Sequence, residues 1–347
     1  MESDQPSPFR KMPKVELHRH LDGSIRQQTI IDISKRYNLD IDISNEDVLK
    51  ARSTVTQPME DLAAVLDAFD IIQKVSCSYE AIKRIAFENV EDAFFDGIKL
   101  IELRFSPAFI ALQKDIGNDE IIEGVLDGVA QGMSQYDVQV GLITIASRTL
   151  DYEVNKKATE DVIQYAQKGQ HKMADRLVGF DLADIEHASE PSDFSELVNI
   201  SRQAGFGITV HSGEDTPASG VQKTLDILQP DRIGHGVNAW QDQNVVKMLR
   251  DKDVLLELCP TSNWLTQCAP ILAEHPLPDF YRAGVKVCIN SDDPQLMGID
   301  LTHEYDIAKK YYGFNNEDFR TMNLFALEKS FLPEEITRAV KKTHFAP

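Results

Sequence analysis

The chain has 347 residues, 42% of them apolar and 27% charged, with a formal net charge of −20. That composition describes a globular protein with ample core, and its acidity repels phosphate backbones and anionic membranes, leaving a small neutral molecule as the expected partner. No apolar run is long enough to span a bilayer, the first dozen residues hold no apolar leader segment, and the four cysteines form no CxxC pair, so a cytoplasmic protein without disulfides or a thiolate metal site is expected.

Short apolar, β-branched runs at 15–18, 100–105, 138–146, 177–182, 207–211, 232–235, 254–258 and 286–290 read as strands. Segments of helical periodicity lie between them, at 27–36, 79–96, 118–136, 151–168, 191–204, 220–228 and 243–252. Nearly continuous hydrophobic strands alternating with helices predict a parallel sheet buried on both faces. Eight such units predict a closed (β/α)8 TIM-type barrel, with residues 1–347 forming one domain. The rival is an open doubly wound sheet, usually marked by a glycine-rich phosphate loop, and neither GxGxxG nor a P-loop occurs here. The stretch 47–76 is too long for a simple crossover. Its apolar positions, including Leu62, Val65, Leu66, Phe69, Ile71 and Ile72, predict inserted amphipathic helices after the first strand, packed as ordinary core or capping the barrel mouth.

Barrel enzymes gather their chemistry where the strands end. The first strand ends in Glu16-Leu17-His18-Arg19-His20-Leu21-Asp22-Gly23, and strand alternation sends His18 and His20 to the same side. The fifth ends in His211-Ser212-Gly213-Glu214, the sixth in His235 between two glycines, and the eighth in Asn290-Ser291-Asp292-Asp293-Pro294. If that last stretch stays extended, its two carboxylates face opposite ways. Each residue taken alone has an ordinary reading: His235 as a satisfied barrel histidine, Glu214 as a neighbour of a helix N-cap, Asp292 and Asp293 as a solvated turn. Four strand ends carrying metal-type or acid–base residues at one face argue for a site. His18, His20, His211 and Asp292 are donors of the kind a catalytic zinc takes, with a position left for water, and Glu214 and His235 remain for proton traffic.

The segments VELHRHLDGSI (15–25), ELRFSP (102–107), DLA (181–183), TVHSGE (209–214), RIGHGV (232–237), ELCPTSN (257–263) and NSDDP (290–294) together resemble the adenosine deaminase family of the amidohydrolase superfamily, over nearly the whole chain. The resemblance implies one zinc per chain on His18, His20, His211 and Asp292. It implies Glu214 as the acid that protonates purine N1, and His235 as the residue that orients and helps deprotonate the attacking water. It further implies Asp293 on purine N7 and Asp22 on a ribose hydroxyl. The activity implied is hydrolysis of adenosine or 2′-deoxyadenosine to inosine or 2′-deoxyinosine and ammonia, as in purine salvage. The RIGHG form around His235 is similar to the adenosine branch, where an adenine-deaminase branch would read RIDHG.

One departure bears on the substrate. The family commonly reads DLAGDE, with a glycine whose backbone N–H meets purine N3, whereas this chain reads DLADIE and puts Asp184 there. The alternatives are therefore another 6-aminopurine, such as adenine or a modified adenosine, or a non-catalytic nucleoside-binding barrel. Against the last, all six metal and proton-transfer positions are present. A two-metal amidohydrolase would need a lysine near 180–186, and cytidine-type zinc deaminases need HxE with PCxxC; neither pattern occurs. The remaining histidines, His275 among them, read as surface or packing residues.

Overall fold

A computed structural model of the chain describes residues 7–59, 69–112 and 114–346. Eight parallel strands follow one another around a single sheet in chain order: β1 (Lys14–His20), β2 (Ile98–Phe105), β3 (Gln139–Ser147), β4 (Leu177–Ala183), β5 (Gly207–Ser212), β6 (Arg232–His235), β7 (Leu255–Leu258) and β8 (Val287–Ile289). Helices intervene at every step, giving the (β/α)8 barrel that the strand–helix alternation predicts. Each expected strand is present, with its ends shifted by three residues or fewer. The helix expected over 191–204 begins as a 3-10 turn, Pro191–Phe194, before the α-helix Ser195–Gln203, because proline suits a first turn and lacks the N–H for continuation.

The seam between β8 and β1 is closed by few backbone bonds. β8 has three residues, and beyond it Asp292 bridges Arg19, with His20 N donating to Asp292 O (2.9 Å) and Asp292 N to His18 O (3.1 Å). Side chains supply the rest: Asn290 Oδ1 accepts from Leu17 N (2.9 Å), and Glu16 Oε1 from Ser291 N (2.8 Å). The closure thus welds the Asp292 segment directly onto the strand that carries His18 and His20. The β1–β2 register also slips between Glu16 and Arg19. Such a bulge re-aims side chains, so Val15 and Leu17 pack in a small apolar cluster while His18 and His20 turn to the site.

That cluster also takes Leu100, Leu255, Leu327 and Leu332, the last two from the segment after β8, where helices Leu301–Tyr312, Asn316–Lys329 and Glu334–His344 follow. Phe331 seals it: a Cβ at Gly207 would lie 2.0 Å from its ring. The C-terminal segment therefore floors the barrel and leaves the opposite mouth open. Of the insertion after β1, helices Glu46–Ser53 and Phe69–Val75 are described, with Ile71 and Ile72 buried; Leu62, Val65 and Leu66 lie outside the described residues. Its extended part docks on the mouth loops, Val55 N donating to Leu296 O (2.6 Å) and Met59 N to Leu265 O (3.0 Å). No helix among the described residues is long and apolar enough to cross a membrane.

Candidate active site

At the mouth, a cavity is lined by His20, Asp22, Asp184, His211, Glu214, His235, Asp292 and Asp293, among others. Nine positions were expected to matter from the sequence, and eight of them line it; the ninth, His18, lies just beneath. The donor nitrogens of His18, His20 and His211 fall within 4.8 Å of one another. Asp292 Oδ1 completes the group, 3.2 Å from His18 Nε2 and 3.4 Å from His20 Nε2.

The residues suit a divalent cation. His18 Nε2 and Asp292 Oδ1 are buried and have no hydrogen-bond partner, an arrangement that costs free energy unless something else takes their lone pairs. The opposite ring nitrogens are fixed: His18 Nδ1 lies 2.7 Å from Glu257 Oε2, and His211 Nδ1 lies 3.1 Å from Asp181 Oδ1. Carboxylates behind metal-binding imidazoles set the tautomer that leaves the inner nitrogen free. Asp292 is tethered through its other oxygen by Ser262 Oγ (2.7 Å). Burial alone would raise the Asp292 carboxyl, but the surrounding imidazoles, His18 first, hold it well below the ordinary carboxylate range. Gly234 makes the cluster possible, since a Cβ there would lie 2.9 Å from the His18 ring.

Sequence reasoning did not assign the supports of this cluster. Arg104, wholly buried, donates to Asp181 Oδ2 (2.7 Å), Glu257 Oε2 (2.8 Å) and Leu17 O (2.6 Å). Arg232 binds Glu257 Oε1 (2.6 Å) and Glu102 Oε2 (2.7 Å) from the floor side. Despite complete burial, Asp181 and Glu257 are held well below the ordinary range: Asp181 by His211 and Arg104, Glu257 by Arg104 and Arg232.

Glu214 faces the cluster from the loop after β5. Glu186 grips that loop, accepting from the backbone N–H groups of Gly213 (2.8 Å), Glu214 (2.7 Å) and Asp215 (3.0 Å). Glu214 Oε1 accepts from Thr266 Oγ1 (3.1 Å), and Oε2 lies 3.4 Å from His235 Nε2. Burial, reinforced by the charges of Asp292 and Glu186, pushes Glu214 well above the ordinary carboxylate range, which favours its protonated form. Burial also pushes Asp22 up to about 6, and with the charges of Asp292 and Asp22 it drives Asp293 well above its usual value.

The Asp292–Asp293 stretch corrects the expectation of opposed carboxylates. Asp292 adopts a left-handed backbone (φ 62°), which breaks the alternation, so both side chains line the cavity. Asp293 fits because residue 23 is glycine, whose Cβ would lie 1.7 Å from Asp293 Oδ1.

Asp184 is likewise left-handed (φ 80°), a strain of about 1–2 kcal/mol for a residue with a Cβ. Its carboxylate is tied to the hydroxyls of Ser147 and Thr149 and to Ile185 N (2.8 Å). Asp184→Gly relieves the strain as it loses these bonds, so its stability should stay within about 1 kcal/mol of the parent. Asp184→Ala keeps the strain and loses the bonds, and should fall below D184G by about 1–2 kcal/mol in urea unfolding. Equal stabilities of D184A and D184G would show that the backbone there is unstrained.

Residues 13–343 match the adenosine deaminase family. The chain belongs to that family. An adenosine deaminase from Shigella boydii serotype 18 is 35% identical over 331 residues, covering 95% of this chain and 97% of that protein. Two solved structures share the fold. An adenine deaminase from Arthrobacter aurescens superposes with a TM-score of 0.84 at 24% identity, over 95% of this chain and 97% of the other. An amidohydrolase from Burkhoderia ambifaria with bound Zn gives 0.83 at 21% identity, over 97% and 90%. This member of the adenosine deaminase family is an amidohydrolase-type deaminase.

Proposed function

We propose that the protein hydrolyses adenosine or 2′-deoxyadenosine to the corresponding inosine and ammonia, with one zinc ion held by His18, His20, His211 and Asp292. The observation that carries this reading is a buried Glu214, its carboxyl driven up by burial, set beside that donor cluster within one cavity. The adenosine deaminase from Shigella boydii supports the same substrate. Bound zinc would lower the pKa of a water molecule from about 15.7 towards about 7. The protein's own groups do the rest. Glu214 donates its proton to purine N1, which makes C6 electrophilic as oxygen adds there, and it recovers a proton from the water. The hydroxyl proton of the adduct leaves with the amine as ammonia, so one water molecule accounts for every hydrogen. Asp293, whose carboxyl is driven up by burial and by the charges of Asp292 and Asp22, serves as the donor to the acceptor N7. Asp22 meets a ribose hydroxyl, and Asp184 offers its backbone beside N3.

Charge favours a nucleoside over a nucleotide. Five carboxyl residues, Asp22, Asp184, Glu214, Asp292 and Asp293, line the cavity, and no lysine or arginine is among its described lining residues. A 5′-phosphate would find no lysine or arginine among those residues to pair with it. The test is the ultraviolet change as adenosine becomes inosine, with adenine and adenosine 5′-phosphate run alongside. Turnover of adenosine with at least tenfold lower kcat/KM for the other two is expected. Turnover of adenine alone would move the substrate to the free base, and a preference for the phosphate would refute the charge argument.

A further inference from the structure

Behind His235 a line of hydrogen bonds runs away from the cavity to a backbone amide. Asn263 Nδ2 lies 3.0 Å from His235 Nδ1, and Asn263 Oδ1 lies 3.1 Å from His275 Nε2. His275 Nδ1 in turn accepts from Leu277 N (3.1 Å). The three side chains are at most 1% exposed. Burial pushes His275 down to about 3, so that ring is neutral.

A backbone N–H is a donor and nothing else, and it gives the line a direction. Leu277 N–H occupies the lone pair of His275 Nδ1, so the single proton of that neutral ring sits on Nε2. This N–H meets Asn263 Oδ1; turning the amide over would set two donors against each other. Asn263 Nδ2 is then the donor to His235, whose Nδ1 must be the bare nitrogen. In a neutral imidazole the partner of one nitrogen decides what the other carries.

We propose that Asn263 and His275 are positioning residues that lock His235 in the Nε2–H tautomer, so that His235 meets the reacting oxygen as a hydrogen-bond donor and not as a base. This rests on the deaminase reading above and revises the part that family resemblance gives His235. Its Nε2–H faces Glu214 Oε2 across 3.4 Å in the resting site. As oxygen adds to C6 and gains charge, the same N–H is available to stabilise it. Net proton transfer then falls to Glu214 alone.

The tautomer is directly observable in a long-range ¹H–¹⁵N spectrum of ¹⁵N-histidine-labelled, metal-loaded protein, with the His235 signals assigned by their loss in His235→Gln. A proton-bearing Nε2 and a bare Nδ1 are expected. Asn263→Asp presents acceptors to both rings and should put a proton on Nδ1 of His235. Its kcat should fall by about 10²–10⁴-fold at unchanged metal content, as it does when a serine-protease imidazole is given the wrong tautomer. A bare Nε2 in the parent protein overturns the proposal, as does an N263D protein with the parent's spectrum and rate. Should N263D not fold, the parent spectrum decides alone. Failure to turn over any aminopurine would sink the functional reading and leave the tautomer result standing.

Discussion

Glu214→Gln is expected to keep its metal and lose turnover, with kcat lower by about 10²–10⁴-fold, the usual contribution of a placed general acid. Glutamine has the shape of a protonated glutamate and can still accept from Thr266, so the loop gripped by Glu186 has no cause to move. Glu214 is not among the four donors, and metal content should match the parent. What disappears is the transferable proton. The pH dependence carries a second signature. Because the folded site raises this carboxyl above its unfolded value, its contribution to stability is fully present below the unfolded pKa and is lost as pH rises through the folded one. Glutamine does not ionise, so E214Q should gain stability on the parent as pH rises through that window. The parent's rate should fall over the same range. Kinetics, metal analysis and urea midpoints across pH decide the matter: an E214Q protein with the parent's rate would remove Glu214 from the chemistry.

The barrel was legible because parallel strands buried on both faces leave nearly unbroken apolar runs, and Val138, Leu177 and Val254 each stand within a residue of a true strand edge. The alternation ends at β8 and so says nothing of the three helices that floor the barrel. The metal-type residues were legible because they stand at strand ends, where polarity is conspicuous. Their supports stand inside strands. Arg104 meets Asp181 and Glu257 across 77 and 153 residues of sequence, and periodicity holds no information about such partners. A charge embedded in an apolar strand, as in ELRF, DLA and ELC, does signal that a partner must exist. Asp292 defeats the alternation rule through its left-handed backbone. His275, which reads as a surface or packing residue, is buried, and its place behind His235 depends on a contact made by folding.

Chelation should abolish turnover and lower the unfolding temperature, and zinc should restore both. The donor nitrogens of three imidazoles lie within 4.8 Å of one another, Asp292 Oδ1 lies 3.2 Å from one of them, and two of these inner atoms, His18 Nε2 and Asp292 Oδ1, are buried without hydrogen-bond partners. A cation that uses those lone pairs binds the folded chain and not the unfolded one. At a thousandfold excess over its Kd it adds about 4 kcal/mol, which for a barrel of this size is about 5 °C in Tm. Without it, water stays near its bulk pKa of about 15.7, far too weak a nucleophile for purine C6 at neutral pH. The two readouts separate the causes. Lost activity with an unchanged Tm would mean that the chelator removed a metal from somewhere other than this cluster. Full activity in metal-free protein would sink the zinc assignment. Joint loss and joint recovery at one equivalent of zinc would tie the chemistry to the four side chains that β1, β5 and the β8 seam bring together.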